Sequence, residues 1–500
     1  MLEIKNMDIF LYPRYLIKGL SFCVDKKDKL AIIGEEGNGK STLLKALIGK
    51  CDYAKVTGEI NLHGNKIGYL EQNLSQNDSN KTVFDYLFKD YEDYYDKINL
   101  FYQQLNNFNL NEAILEQKMG SLSGGENVKI RLLKLFLDEV DVYLLDEPTN
   151  DLDIQTLEWL EKFINQTDKI VIYISHDETL LSNTANMILH LEQIKRKSEC
   201  RHTILKVDYE TYVEKRLRKI EHQTQIAQFE RRDYKLKMQK LQKLLQKVEH
   251  QQNSISRSDP HGGRLLKKKM HNLKSQESKL AQTDLTQTPD VEEGISFEFE
   301  MVDIARNKVI LDLSIDQLNA GNKILVNNIN LKVVGASHIV IIGSNGVGKS
   351  TLMKRIYQEL VNRKDIKLGY MPQDYDDIFA HYENVLDFIV DGKSKDEITK
   401  ARLYLGSMKF TSEEMIGKIS DLSNGSKAKL ILTKFVLDHC DVLLLDEPTR
   451  NVSPLSNPLI RKVLRKFNGT IISISHDRKF ITQVADKIYL LTRDGFSLGE

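Results

Sequence analysis

One set of motifs occurs twice in this chain, in the same order, and any fold assigned to it must account for the repetition. A glycine-rich loop closing in Lys-Ser spans Gly34–Ser41 (GEEGNGKS) and again Gly343–Ser350 (GSNGVGKS). An apolar run closing in Asp-Glu-Pro-Thr ends at Asp146–Thr149 and again at Asp446–Thr449. Between them lie LSGGE at Leu122–Glu126 and LSNGS at Leu422–Ser426. Ser123 and Ser423, Glu147 and Glu447, and His176 and His476 are each 300 residues apart. Chance does not produce three coincident offsets, so the chain reads as a duplicated nucleotide-binding module.

Each copy alternates strand and helix. KLAIIG and HIVIIG are short buried strands before the loops, and STLLKALIG and STLMKRIYQEL are the helices after them. VYLLDE, KIVIYISH, VLLLDE and TIISISH are further apolar strands with polar residues at their carboxyl ends. This predicts an α/β fold whose ligands bind at strand ends.

A G-x-x-x-x-G-K-S loop turns successive backbone N–H groups towards phosphate oxygens, assisted by the following helix N-terminus. Candidate ATP-binding residues are therefore Gly34, Gly37, Asn38, Gly39, Lys40, Ser41 and Thr42, with Gly343, Asn345, Gly346, Gly348, Lys349, Ser350 and Thr351 in the second copy. The two lysines are expected at the β- and γ-phosphates, and the Ser41 and Ser350 hydroxyls at Mg²⁺. Asp146 and Asp446 close apolar strands beside the loops, which places their carboxylates to hold Mg²⁺ through water. Glu147 and Glu447 come next, where a carboxylate can polarise the attacking water. His176 and His476 end strands in a shared S-H-D context and are candidate γ-phosphate contacts. Gln72 (GYLEQ) and Gln373 (GYMPQ) fit Mg²⁺- and water-contacting glutamines. The first loop differs in carrying Glu35-Glu36 where the second has Ser344-Asn345, an added negative charge that should weaken or retune that site. Tyr12 or Tyr15 is read either as an adenine-stacking ring or as core, while Asn322–Leu325 offers only an apolar contact.

A chain of 500 residues suits two or three domains rather than one core. No run approaches the roughly 18 apolar residues that a bilayer span requires, and the start MLEIKNMDIF shows no secretory signal. Cys23, Cys51, Cys200 and Cys440 form no CxxC pair, which argues for a reducing cytosol. Net charge is zero over the whole chain, but 195–288 holds 23 Lys/Arg against 11 Asp/Glu. Within it Tyr209–Gln246 lacks Gly and Pro and is rich in helix formers, giving an expected helix of about 55 Å. Its sparse apolar stripe runs Leu217, Ile220, Ile226, Phe229, Leu236, Leu241, Leu244, Val248. Asp259–Gly263 breaks the pattern and Leu265–Leu280 resumes it, so two antiparallel helices with an irregular tip over Lys247–Gly263 are expected. The expected domains are 1–194, a basic helical linker over 195–294, and 295–500.

LSGGE and LSNGS, taken with the loops and strand-end residues, resemble the ATP-binding-cassette superfamily. The resemblance implies two P-loop ATPase domains packed head to tail, each ATP lying between one Gly-rich loop and the other cassette's signature. Lys349 would then share a site with Ser123 and Gly125, and Lys40 with Ser423 and Gly425. The second signature departs from the family pattern at Asn424 and Ser426, and the D-loops differ (Asn150–Asp153 against Arg450–Ser453), so unequal sites are expected.

Two cassettes joined by a basic helical hairpin, with no membrane span, resemble the ABC-F group, and EPTRNVSPLSNPLI (Glu447–Ile460) resembles its antibiotic-resistance branch. That resemblance implies a cytoplasmic monomer with intramolecular cassette pairing, docking at the ribosomal tRNA exit site against 23S rRNA and P-site tRNA. It implies protection of the peptidyl-transferase centre from lincosamide, streptogramin A or pleuromutilin drugs, with hydrolysis driving release. The tip residues Val248, Gln251, Asn253, Ser254 and Ile255 are the candidate ribosome and drug-site contacts. A housekeeping ABC-F translation factor, a transporter ATPase subunit and a DNA-repair ATPase are the alternatives, the last disfavoured by the short linker without zinc-finger cysteines.

Overall fold

The computed structural model describes residues 1–92, 94–150, 152–194, 197–254, 260–281, 299, 304–321, 323–390, 395–408, 410–450, 452–493 and 495–499. They group into two compact units, Met1–Glu210 with Glu292–Glu500, and Thr211–Val291.

The first unit contains the two cassettes, each built on a six-stranded sheet. In the first, the order is Ile67–Leu70, Val142–Asp146, Ile170–Ile174, Lys29–Ile33, Met187–Ile194, Glu199–Leu205, with only the last pair antiparallel. The second repeats it as Leu368–Met371, Val442–Asp446, Thr470–Ile474, His338–Ile342, Lys487–Thr492, Gly495–Leu498. Register repeats as well: Asp146 pairs with Ile174, and Asp446 with Ile474. Helices cover these parallel strands, which explains their unbroken apolar runs; Val142–Asp146, Ile170–Ile174 and Val442–Asp446 are buried throughout. Antiparallel strands flank each sheet, Arg14–Val24, Leu2–Leu11 and Lys55–Asn61 in one copy and Val309–Ala320 with Lys323–Val334 in the other. The expected α/β class with two P-loop cassettes is what the structure contains.

The second unit is helical. A 46-residue helix, Tyr209–Ser254, enters it, and a 22-residue helix, Pro260–Ala281, follows. At 1.5 Å per residue the first would measure about 69 Å rather than 55 Å, because nothing in Lys247–Ser254 interrupts it. The expected irregular tip is corrected accordingly: Val248, Gln251, Asn253 and Ser254 are helical, and the second helix starts at Pro260, where a proline needs no N–H partner. Val248 is not a tip surface residue. It is buried with Leu241 and Leu273, against which Leu245, Leu266, Met270 and Leu280 pack. Gln251, Asn253 and Ser254 are exposed. Leu217, Phe229, Leu236 and Leu244 from the expected stripe are also exposed. Ile255, the Asp259 break and the 283–290 connector lie outside the described residues, as do Asp151 and Asn451 of the D-loops.

Candidate functional site: two nucleotide sites across the cassette interface

Both glycine-rich loops leave a buried central strand and enter a helix, Lys40–Leu47 or Lys349–Leu360. Gly34 and Gly343 make the exit possible: a Cβ there would stand 2.2 Å from the Leu191 carbonyl oxygen or 2.3 Å from that of Leu491. Gly39 and Gly348 precede the helices in left-handed conformation, φ 91° and 112°. A Cβ would press on Leu16 in one copy and Leu325 in the other. Lys40 Nζ donates to the Gly34 and Glu35 carbonyls at 2.8 and 3.1 Å, and Lys349 Nζ to those of Gly343 and Ser344 at 2.8 and 3.0 Å. Asn38 has a structural partner within its own cassette. Its buried side chain donates to the Leu191 carbonyl at 2.9 Å and so braces the loop. Val347 holds the equivalent place by packing alone.

The strand-end residues converge beside the loops. Ser41 Oγ donates to Asp146 Oδ1 at 2.9 Å, and Tyr69 to Asp146 Oδ2 at 3.0 Å. Burial raises both Asp146 and Asp446 above the usual carboxylate range, opposed by their serine partners Ser41 and Ser350. Glu147 and Glu447 adopt φ of 49° and 54°, a region that disfavours a residue of this size. His176 Nε2 lies 2.9 Å from Glu147 Oε1, and burial that would raise Glu147 is outweighed by this histidine, so its carboxyl sits below its ordinary value. The second copy differs. His476 Nε2 is 3.9 Å from Glu447 Oε1, and Glu447 is pushed up to about 8 by burial and by Asp446. Burial and the Lys349 charge take His476 down to about 4. Glu147 Oε2, Asp446 Oδ1 and both His476 ring nitrogens are buried without a hydrogen-bond partner. Carboxylate oxygens and an imidazole left unpaired beside a phosphate-type loop fit a divalent cation and a polyphosphate, since burying them unpaired is unfavourable.

The cassettes meet head to tail. An open cavity of about 480 Å³ is lined by Gly346, Lys349, Ser350, Thr351, Asp446, Glu447 and His476 of the second cassette and by Gly124, Asn150 and Leu152 of the first. Ser123, one residue before Gly124, caps the signature helix Gly124–Leu137. Gly125 packs within the close reach of Thr156, where a Cβ would come 2.8 Å from the hydroxyl. Across the other interface, the Gly425 N–H donates to Glu36 Oε2 at 2.8 Å, joining the first loop to the Ser423-capped second signature. Gln373 and Leu325 line the cavity, whereas Gln72 is exposed and is not among the residues that line it. Thr42 accepts weakly from Tyr53 at 3.5 Å. Tyr12 is 87 % exposed; Tyr15 is half-exposed against Phe10, with ring centroids 4.9 Å apart, so neither is core.

Sequence motifs did not reveal the contacts that hold the cassettes together. Arg461 NH1 and NH2 bind Glu178 at 2.5 and 3.1 Å, and Arg478 pairs with Glu161. His176 Nδ1 is 2.7 Å from the Val452 carbonyl of the opposite cassette. The repeat offset was the available signal: positions 161 and 178 are Glu, and their counterparts 461 and 478 are Arg.

A family model described as ABC transporter matches residues 17–150 and 326–450. The chain is 27 % identical to the ATP-binding protein Uup of Buchnera aphidicola, covering 99 % of this chain and 81 % of that protein. It is 29 % identical to a probable ATP-binding cassette sub-family F member 3 homolog of Encephalitozoon cuniculi, covering 97 % and 79 %. Among solved structures, an archaeal ribosome recycling factor in complex with a ribosomal stalk protein matches with a TM-score of 0.59 at 18 % identity, over 97 % of this chain and 87 % of that one. The structure titled RNase-L Inhibitor matches with a TM-score of 0.58 at 18 % identity, over 97 % and 87 %. No described helix is long and apolar enough to cross a membrane. With both copies of the loop, the strand-end carboxylates and the signature inside the two matched segments, this chain belongs to the ABC transporter family of ATP-binding domains and hydrolyses ATP.

Proposed function

We propose that the chain is an ABC-F ATPase that acts on the ribosome, ATP binding closing the cassettes and hydrolysis releasing them. The observation that carries this reading is the joining of paired cassettes to a helical hairpin of unbalanced charge. Helix Pro260–Ala281 alone carries six Lys/Arg and one acid. Such a surface suits RNA phosphates, whose neutralisation releases counterions. The names of the sub-family F relative and of the recycling-factor neighbour support the same direction.

In this account Glu147 and Glu447 orient and deprotonate the attacking water, and His176 and His476 face the γ-phosphate. Ser41 with Asp146, and Ser350 with Asp446, would hold Mg²⁺, which when bound neutralises charge on the β- and γ-phosphates. Gln373 reaches the second of these sites. The partners proposed are 23S rRNA, P-site tRNA and the exit-site region, reached by a cytoplasmic monomer whose domains are 1–194, 195–294 and 295–500.

The narrower form of the proposal is protection of the peptidyl-transferase centre from lincosamide, streptogramin A or pleuromutilin drugs. Exposed Gln251, Asn253 and Ser254 at the end of the long helix favour it. Expression in a drug-sensitive host decides it: raised inhibitory concentrations for these classes support protection. Unchanged susceptibility together with ATP-dependent ribosome binding makes this a housekeeping translation factor.

A further inference from the structure

The two signature helices meet the same electrostatic requirement in different ways. Each starts with unpaired N–H groups and the positive end of a helix dipole. Helix Gly124–Leu137 supplies its own anion: Glu126 Oε2 accepts from Ser123 N–H at 2.9 Å and from Ser123 Oγ at 2.7 Å, completing a capping box. The loop that faces it carries the uncharged pair Ser344-Asn345.

Helix Asn424–Leu437 has Ser426 where its counterpart has Glu126, so it brings no carboxylate of its own. The anion arrives from the other cassette. Glu36 Oε2 accepts the Gly425 N–H at 2.8 Å. Beside it Glu35 Oε1 lies 3.2 Å from Lys429 Nζ and accepts from Ser456 Oγ at 2.6 Å. Burial would raise Glu35, but Lys429 and Ser456 hold it below its ordinary value, so it stays charged. A carboxylate has moved from the signature helix to the loop facing it, and only at this interface.

We propose that Glu35 and Glu36 are nucleotide-specificity residues of the first site, a built-in anion that lets this interface close without selecting ATP over ADP. The inference rests on the assignment of Lys40 and Ser423 to one nucleotide site. With the Gly425 amide and Lys429 already satisfied, a terminal phosphate meets like charge instead of free donors. The second interface, faced by Ser344-Asn345, keeps its preference for ATP, and the ATP-dependent switch of the whole chain then depends on that site.

The test uses the full chain with Lys349→Ala, which silences the second site, and measures equilibrium binding of ATP and ADP. The ratio of affinities is expected within about threefold. Replacing Glu35-Glu36 by the second loop's residues (E35S/E36N) is expected to raise it at least about tenfold in favour of ATP. E36Q keeps the side-chain shape, is expected to move the ratio the same way, and carries the test if the double variant does not fold. A parent that already prefers ATP tenfold, or a ratio unmoved by these substitutions, overturns the proposal. Binding of neither nucleotide in any variant overturns the site assignment as well, and is recognised because Lys40→Ala then has no binding to remove.

Discussion

Arg461 of the second cassette clasps Glu178 of the first in a buried bidentate pair, 2.5 and 3.1 Å, two residues beyond His176. The reciprocal contact joins Arg478 to Glu161. Because 461 and 478 are the repeat counterparts of 161 and 178, all acid sits on one cassette and all base on the other. Like cassettes would set Glu against Glu or Arg against Arg, so the pattern favours pairing of the two unlike cassettes over pairing of identical ones.

Removing one member of this pair should cost more than removing both. Arg461→Met leaves Glu178 buried with the Lys479 ammonium 3.5 Å away, and is expected to destabilise by about 3–5 kcal/mol. The double variant E178M/R461M should recover at least half of that loss. Denaturant unfolding of the two single variants and the double one measures the coupling, and purely additive losses would show that the pair does not act as a unit.

The catalytic carboxylates should be unequal. Glu447 is held near 8 beside a neutral His476, whereas Glu147 is charged against His176. Glu447→Gln should therefore lower steady-state turnover on the order of 100-fold, and Glu147→Gln markedly less. Single-variant ATPase rates check this, with equal losses as the contrary outcome.

Glu447 also sets a pH signature in the absence of nucleotide and Mg²⁺. Its carboxyl is raised from 4.5 to about 8, so across that window the folded chain holds a proton that the unfolded chain has released. Its stabilising contribution is complete below the unfolded value and is lost as pH rises through the folded one. Glu447→Gln removes this dependence. Its thermal midpoint relative to the parent should climb between about pH 5 and pH 8, and a constant difference would contradict the assignment.

Much of this molecule is legible in its sequence because its chemistry is local. Loop, strand-end carboxylate and signature each lie in a short segment whose spacing repeats, and both sheets follow from apolar runs. What escaped depends on distance. Asn38 sits in the loop motif, yet its side chain serves Leu191, 153 residues away. The positive φ of Glu147 and Glu447 has no local signature beyond the motif itself. Val248 ends the apolar stripe of the long helix and also falls in the expected tip, because Gly and Pro follow soon after it; its burial depends on Leu273 of the next helix.

Hairpin stability gives a direct check of that correction. Val248→Ala should weaken the packing of the two helices by about 1–2 kcal/mol, while Gln251→Ala, exposed on the same helix, should change stability by less than about 0.5 kcal/mol. Amide exchange across Leu241–Val248 reads the difference, and equal effects would restore Val248 to the surface.

Charge on the second hairpin helix should govern salt dependence. Reversing Lys267, Lys268 and Lys269 to Glu is expected to weaken ribosome binding and to flatten the log–log salt slope by about 2–3. An unchanged slope would mean that these lysines face solvent only.

The most direct test of the account is ribosome co-sedimentation of the E147Q/E447Q double variant with ATP, with ADP and without nucleotide. The account predicts that ATP holds this variant on ribosomes and blocks translation while ATP hydrolysis is abolished. Undiminished ATP turnover, or sedimentation indifferent to ATP, would contradict it.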